Sequence, residues 1–271
     1  MGLAVAAILA LLVIAGGALY LRSELRAIRG QVETELTAIG DLKARQIGIW
    51  WDHRRAEAEQ VFHGGLIQTP LRRFLTGSPL APPEQDLRDW MEALQRGAYR
   101  SITLFDAQGR ARISVPPASG PGDAGMDASE IQEALQAREV LVRDLHQNPG
   151  YPDIHLSLWV PLGVDNGAKA HGALLLVLDP RQYLYPLIEA WPTFSASAET
   201  ALVRRLGDEV QYLTNLRHRA ETAMTYRIPI SGNSGLPAVQ AILGQEGLVE
   251  GPDYRGVSVF AVLRKIQAKL A

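Results

Sequence analysis

No charged side chain interrupts the chain between Leu3 and Leu21, and this limits what its N-terminal end can become. The run is rich in Ala, Leu, Ile and Val, and about 20 apolar residues cross the hydrocarbon core of a bilayer as a helix. Gly16 and Gly17 are compatible with that, because helical backbone in lipid has no better alternative. A cleaved signal peptide has a shorter apolar core of about 7–15 residues behind a basic segment. Here the run is longer and no Lys or Arg precedes it, which favours a retained anchor over residues 1–21. Arg22, Arg26 and Arg29 follow the run. Taken alone, the positive-inside rule would put the C-terminal bulk in the cytoplasm.

Beyond the anchor, Leu25, Ile28, Val32, Leu36, Ile39, Leu42, Ile47 and Trp50 recur in steps dominated by three and four, a helical stripe. With Val61 and Phe62 it predicts one helix over residues 22–63, stopped by Gly64 and Gly65. A helix that long either packs along a domain or pairs with a copy of itself. Pairing along Leu25, Ile28, Val32, Leu36 and Ile39 would make a homodimer.

After a Pro-marked loop, Glu84 to Arg96 reads as a second helix capped by Gly97. The period then changes. Ser101–Phe105 and Arg110–Val115 read as strands around a turn, and Asp127–Ala137 as a short helix capped by Asp127 or Ser129. Val140–Leu145, Ile154–Leu162 and His171–Leu178 are further strands. The order then recurs about 100 residues later, the spacing of two small domains. It runs through Ala201–Val203, Glu209–Leu213, Met224–Ile230, a helix at Leu236–Leu243, and strands at Leu248–Glu250 and Gly256–Leu263. The fold class is therefore α+β, with a transmembrane helix, a long helix and two tandem antiparallel modules, 64–185 and 186–271. The second copy has one strand fewer, and a sheet short of a strand leaves unpaired backbone. The expectation is that the natural protein continues with a strand, a second membrane helix and a cytoplasmic domain.

The 271 residues are 21% charged with net charge -2, and Lys and Arg are scattered, which argues against nucleic acid as a partner. Cysteine is absent, so disulfides, thiolate metal sites and a Cys nucleophile are excluded.

Three strings at the end of the first module are informative: His155-Leu-Ser-Leu-Trp-Val-Pro-Leu162, Gly172-Ala-Leu-Leu-Leu-Val-Leu-Asp-Pro180 and Tyr183-Leu-Tyr-Pro-Leu-Ile188. In the second module the informative strings are Trp191-Pro-Thr-Phe-Ser195, Ala198-Glu-Thr-Ala-Leu-Val-Arg-Arg205, Asn215-Leu-Arg-His218 and Glu250-Gly-Pro-Asp-Tyr-Arg-Gly256. In that order they resemble the double-Cache, tandem PAS-like sensor regions of bacterial sensor histidine kinases and diguanylate cyclases, over residues 20–265. The resemblance implies modules outside the cytoplasmic membrane, and this outweighs the positive-inside signal. It also implies a small-molecule ligand, usually in the membrane-distal module, and a signal passed down the long helix to an output domain. No cofactor is implied.

Candidate ligand-binding residues in the first module are Tyr99, Arg100, His146, Tyr151, Asp153, His155 and Trp159. Alternation puts Asp153, His155, Ser157 and Trp159 on one face of a strand, with Ile154, Leu156 and Leu158 on the other. The loop Gln147–Asp153 is a plausible lid. Packing alone is the competing reading for Trp159, and a satisfied edge position for His155. The amino-acid-binding constellation of Cache domains is not recognisable, so the ligand stays unnamed. Arg204, Arg205, Arg217, His218, Arg219 and Arg255 read as a solvated positive face rather than an anion site.

Enzyme motifs give little. Gly120-Pro-Gly-Asp-Ala-Gly125 matches a dinucleotide fingerprint formally but lies in a Pro-rich loop. His53 and Glu57, one helical turn apart, supply too few metal ligands. The reading is a non-enzymatic sensor with no catalytic residues and no metal. A freestanding tethered solute-binding protein is the second reading and a membrane-anchored enzyme the third.

Overall fold

A computed structural model describes residues 2–117, 127–148, 151–163, 169–193 and 195–266; of residues 3–8, 10, 151 and 152 it describes the backbone alone. The Gly120–Gly125 string lies outside the described residues. The helical stripe forms one uninterrupted helix, α1, from Gly2 to His63. Among the described residues, no helix is long and apolar enough to cross a membrane. The expected span Leu3–Leu21 is helical, and it includes the positions whose backbone alone is described.

Contacts divide the chain into two units. One comprises chiefly Gln46–Arg204 and Gln211–Arg227. Its centre is a five-stranded sheet ordered β2-β1-β5-β4-β3. The strands are β1 (Ser101–Asp106), β2 (Ala111–Val115), β3 (Leu141–Asn148), β4 (Tyr151–Leu162) and β5 (Gly172–Leu178). Every neighbouring pair is antiparallel. Both faces of the sheet are covered. Leu156, Leu158 and Val160 of β4 and Leu174, Leu176 and Leu178 of β5 join Trp51, Ala58 and Val61 of α1 in the larger core. Trp159, Leu175, Val177 and Phe105 point the other way, onto Ala134 and Leu135 of α4 (Ala128–Gln136). Asp127 caps α4, its carboxylate accepting from the Ser129 amide at 3.0 Å.

Two further helices lie on the larger core: α2 (Gly65–Leu75) and α3 (Glu84–Ala98). The sequence does not announce α2, because Gly64 and Gly65 open it and Pro70 lies inside. Proline removes the amide that would bond to the carbonyl four residues back. That carbonyl belongs to Leu66, a residue 93% exposed, so the lost bond lies at the surface. Gly97 lies within α3, not beyond it; Tyr99 is the C-cap residue.

The other unit holds Met1–Arg45, Arg205–Val210 and Ile228–Lys265. Helix α5 (Pro237–Ile242) packs on the antiparallel hairpin β9 (Gly247–Pro252) and β10 (Ser258–Leu263). This hairpin takes part of the α1 stripe. Val262 of β10 lies beside Gly40, where an added Cβ would stand 3.1 Å from its Cγ1. Arg29 lies over the Phe260 ring at 5.2 Å, and Arg264 pairs with Asp41. Ile39 is buried, whereas Leu25 and Ile28 stay open. The expectation that all five stripe residues lie free for pairing is therefore corrected, because Ile39 is already used within the chain. Strands β6 (Val203–Leu206), β7 (Glu209–Tyr212) and β8 (Arg227–Pro229) form a separate sheet in that order.

Candidate functional site

Strand β4 presents its alternate residues as the sequence pattern requires, but the polar face is not open. His155, Ser157 and Trp159 all have zero exposure, closed over on the α4 side of the sheet. Burying polar groups is costly unless each finds a partner. Here several do not. His146 Nε2, Ser157 Oγ, Trp159 Nε1 and Glu130 Oε2 are buried and have no hydrogen-bond partner among the described residues.

The two histidines are cross-strand neighbours in the β3–β4 ladder. Their ring centroids are 4.1 Å apart with the planes inclined at 53°. Each ring is fixed by the carbonyl two residues upstream: His146 Nδ1 lies 2.7 Å from the Asp144 oxygen and His155 Nδ1 2.8 Å from that of Asp153. A carbonyl only accepts, so both Nδ1 atoms carry the proton and donate. In the neutral ring Nε2 is then a lone-pair acceptor. Burial lowers His155 to about 4; the backbone bond to Asp153 opposes that shift, and nearby His146 and Arg100 reinforce it. His155 is neutral at pH 7.

Helix α4 brings Glu130 to this pair, with Oε1 3.8 Å from His146 Nε2. That is too long for a hydrogen bond. The arginines around the face are already engaged by carboxylates. Arg143 of β3 pairs with Glu133 of α4. Arg100 lies 2.7 Å from Asp153 and 3.8 Å from Asp179. Arg181 bonds Asp179 at 2.9 Å. Burial would raise Asp179, but hydrogen bonds from the Arg181 side chain and amide, with the charges of Arg181 and Arg100, hold it below the usual carboxylate range.

Of the residues singled out from the sequence, His146 and His155 meet on the α4 face, Trp159 lies further along β4 on the same face against Phe105, and Asp153 and Arg100 form an ion pair. Tyr99 is elsewhere. It is buried in the larger core, and its hydroxyl donates to Glu57 Oε2 of α1 at 2.7 Å. The Tyr151 side chain lies outside the described residues. Sequence reasoning missed Glu130. The available signal was its position: Glu130, Ile131, Ala134 and Leu135 share one face of α4, so a carboxylate sits on the stripe that packs inward.

Ser157 Oγ bonds to neither histidine, so no base holds it ready as a nucleophile. Among the described residues, no three His, Cys, Asp or Glu side chains are placed to hold a metal ion.

No protein-family model matches the sequence, and no curated protein is similar to it. Solved structures share the fold. The ligand-binding domain of the Pseudomonas aeruginosa PAO1 amino acid chemoreceptor PctC in complex with GABA aligns with a TM-score of 0.57 at 17% identity, over 88% of this chain and 94% of that one. That of PctB from the same organism, in complex with L-Arg, gives 0.56 at 14% identity, over 88% and 90%. The ligand-binding domain of Pseudomonas fluorescens chemoreceptor CtaA with L-leucine gives 0.54 at 14% identity, over 90% and 91%. The fold is thus that of chemoreceptor ligand-binding domains, in line with the double-Cache resemblance of the sequence.

Proposed function

We propose that this chain is the extracytoplasmic small-molecule sensor of a membrane-anchored signalling receptor, and that its ligand occupies the α4-covered face of the five-stranded sheet. The observation that carries this reading is that four buried polar atoms on the α4 side of one sheet, from Glu130, His146, Ser157 and Trp159, have no hydrogen-bond partner among the described residues. A chain that needed only a packed core would place apolar side chains there. The fold shared with chemoreceptor ligand-binding domains supports the same reading.

Strand β4 supplies the route for a signal. His155, Ser157 and Trp159 face the site, while Leu156, Leu158 and Val160 between them pack in the core that holds Trp51, Ala58 and Val61 of α1. A ligand that favours one arrangement of this strand also favours one setting of α1, and only such differential affinity can drive a switch. The Leu3–Leu21 run is the anchor in a bacterial cytoplasmic membrane, with the folded part outside. Two copies pair through the open α1 positions Leu25 and Ile28, which are 65% and 52% exposed.

The test is a thermal-shift screen of the full chain in detergent against organic acids, amino acids, amines, purines and sugars. A ligand raises the melting temperature by mass action. The expected result is a stabilising compound whose effect disappears in Ser157→Ala and persists in Arg217→Ala. A screen without any stabilising compound, or one unaffected by Ser157→Ala, overturns the assignment.

A further inference from the structure

The buried site has a charge preference, and it differs from what an amino acid would need. Its groups are mostly acceptors. Glu130 contributes a buried carboxylate oxygen with no hydrogen bond among the described residues, and His146 an Nε2 in the same position, its Nδ1 facing the Asp144 carbonyl. Ser157 adds a hydroxyl able to accept or donate, and the Trp159 indole is the one pure donor among these four.

The guanidinium groups near this face are committed elsewhere. Arg143 is held by Glu133, and Arg100 by Asp153 and Asp179. A ligand carboxylate would have to break one of these pairs and then lie near the Glu130 carboxylate. A ligand amine meets no such cost. It replaces the hydrogen bonds Glu130 lost on burial, and a charged donor to a carboxylate is among the stronger hydrogen bonds.

Resting on the sensor reading above, we infer that the ligand is a small organic amine that presents its cationic nitrogen to Glu130 and His146 and carries no carboxylate. Glu130 determines the specificity, and the imidazole Nε2 gives the ammonium group a second partner.

Four probes of one chain length test this by calorimetric titration into the full-length protein in detergent: putrescine, GABA, succinate and 1,4-butanediol. The expected order has putrescine binding most tightly and succinate not at all. Glu130→Gln keeps the shape and removes the charge, so it should weaken putrescine at least about tenfold, the loss of one charge-assisted bond. The same variant should melt no lower than the parent without ligand, since it removes an unpaired buried charge; a purely structural glutamate would give a lower melting point. Tighter binding of succinate or GABA, putrescine affinity unchanged in Glu130→Gln, or no binding by any probe overturns the inference. The failures are distinguishable. If the wider screen yields a Ser157-dependent anion or sugar, the sensor reading stands and the amine assignment falls.

Discussion

His146 and His155 meet across adjacent strands with ring centroids 4.1 Å apart, each ring held by the carbonyl two residues before it. Two protonated rings at that distance would repel each other, and His155 is wholly buried. Burial lowers its folded-state value from 6.5 to about 4. Between these values the unfolded chain binds the proton and the folded chain does not, so stability falls as pH falls. The contribution is complete above about pH 6.5 and lost progressively towards pH 4, amounting to about 3 kcal/mol. The facing charged groups are Glu130 on α4, Asp153 on β4 and Arg100 before β1. Urea denaturation at several pH values checks it: His155→Asn should flatten the slope between pH 6.5 and 4.

Tyr99 sits on the opposite side of the sheet from the histidines. Burial and the Glu57 carboxylate raise its phenol above the ordinary range, so it remains a donor at any physiological pH. Tyr99→Phe should cost about 1 kcal/mol of stability, the net worth of one hydrogen bond. Ligand affinity should be unchanged, because no site group is touched. A loss of affinity without a loss of stability would place Tyr99 in the site after all.

Gly172 begins β5 at a point where another chain segment comes very close. An added Cβ would stand 2.2 Å from the Phe105 carbonyl oxygen and 2.6 Å from Leu75 Cδ1. The carbonyl belongs to the β1–β5 ladder and cannot retreat without breaking the sheet. Gly172→Ala should therefore destabilise by about 2–3 kcal/mol, as overpacking does. Gly97→Ala, where nothing lies within 4 Å, is the matched control and should be neutral or slightly stabilising.

The strands of the larger unit are legible in the sequence because period-2 alternation survives in β4 and continuous apolar character in β5. Alternation shows that Asp153, His155, Ser157 and Trp159 share a face. It does not show that α4 covers that face, since cover is a long-range packing event. The same limit hides the role of Tyr99: a phenol beside a strand reads alike whether it meets a ligand or Glu57. Helix α2 is hidden for a local reason, as its Gly-Gly start and internal Pro70 both signal loop, and burial of Leu71 outweighs them. In α1 periodicity marks the apolar stripe but cannot say which positions β10 uses.

That ambiguity in α1 separates two variants the sequence would treat alike. Ile39 is 8% exposed and Ile28 52%. Ile39→Glu should destabilise the fold by several kcal/mol, on the order of 3, through a buried unpaired charge. Ile28→Glu should leave the melting temperature nearly unchanged and shift the protein towards monomer. Sedimentation velocity in detergent checks the second. An unaltered monomer–dimer balance would count against pairing through α1.

Arg204 joins the site strand to the turn region of the same unit. Its guanidinium donates to the Leu145 carbonyl at 2.7 Å and to Gln211 Oε1 at 2.9 Å, and lies 3.6 Å from the Asp144 carboxylate. Gln211 in turn donates to the Met224 carbonyl at 2.5 Å, and Met224 holds a left-handed backbone with φ of 64°. Such a conformation costs about 1–3 kcal/mol in a residue with a side chain and persists only where its surroundings fix it. Asp144 and Leu145 lie in the irregularity of β3 between Arg143 and His146, so Arg204 pins the segment that aims His146 into the site. Arg204→Lys keeps the charge but cannot reach the Leu145 carbonyl and Gln211 together, because the two bonds need the guanidinium fork. It should lower stability by about 1–2 kcal/mol. It should also weaken any ligand that contacts His146, although Arg204 itself touches none of the four unbonded site atoms. Titration of the same ligand into Arg204→Lys and Arg217→Lys checks the point. Equal affinity in the two variants would show that the β3 irregularity is held without Arg204.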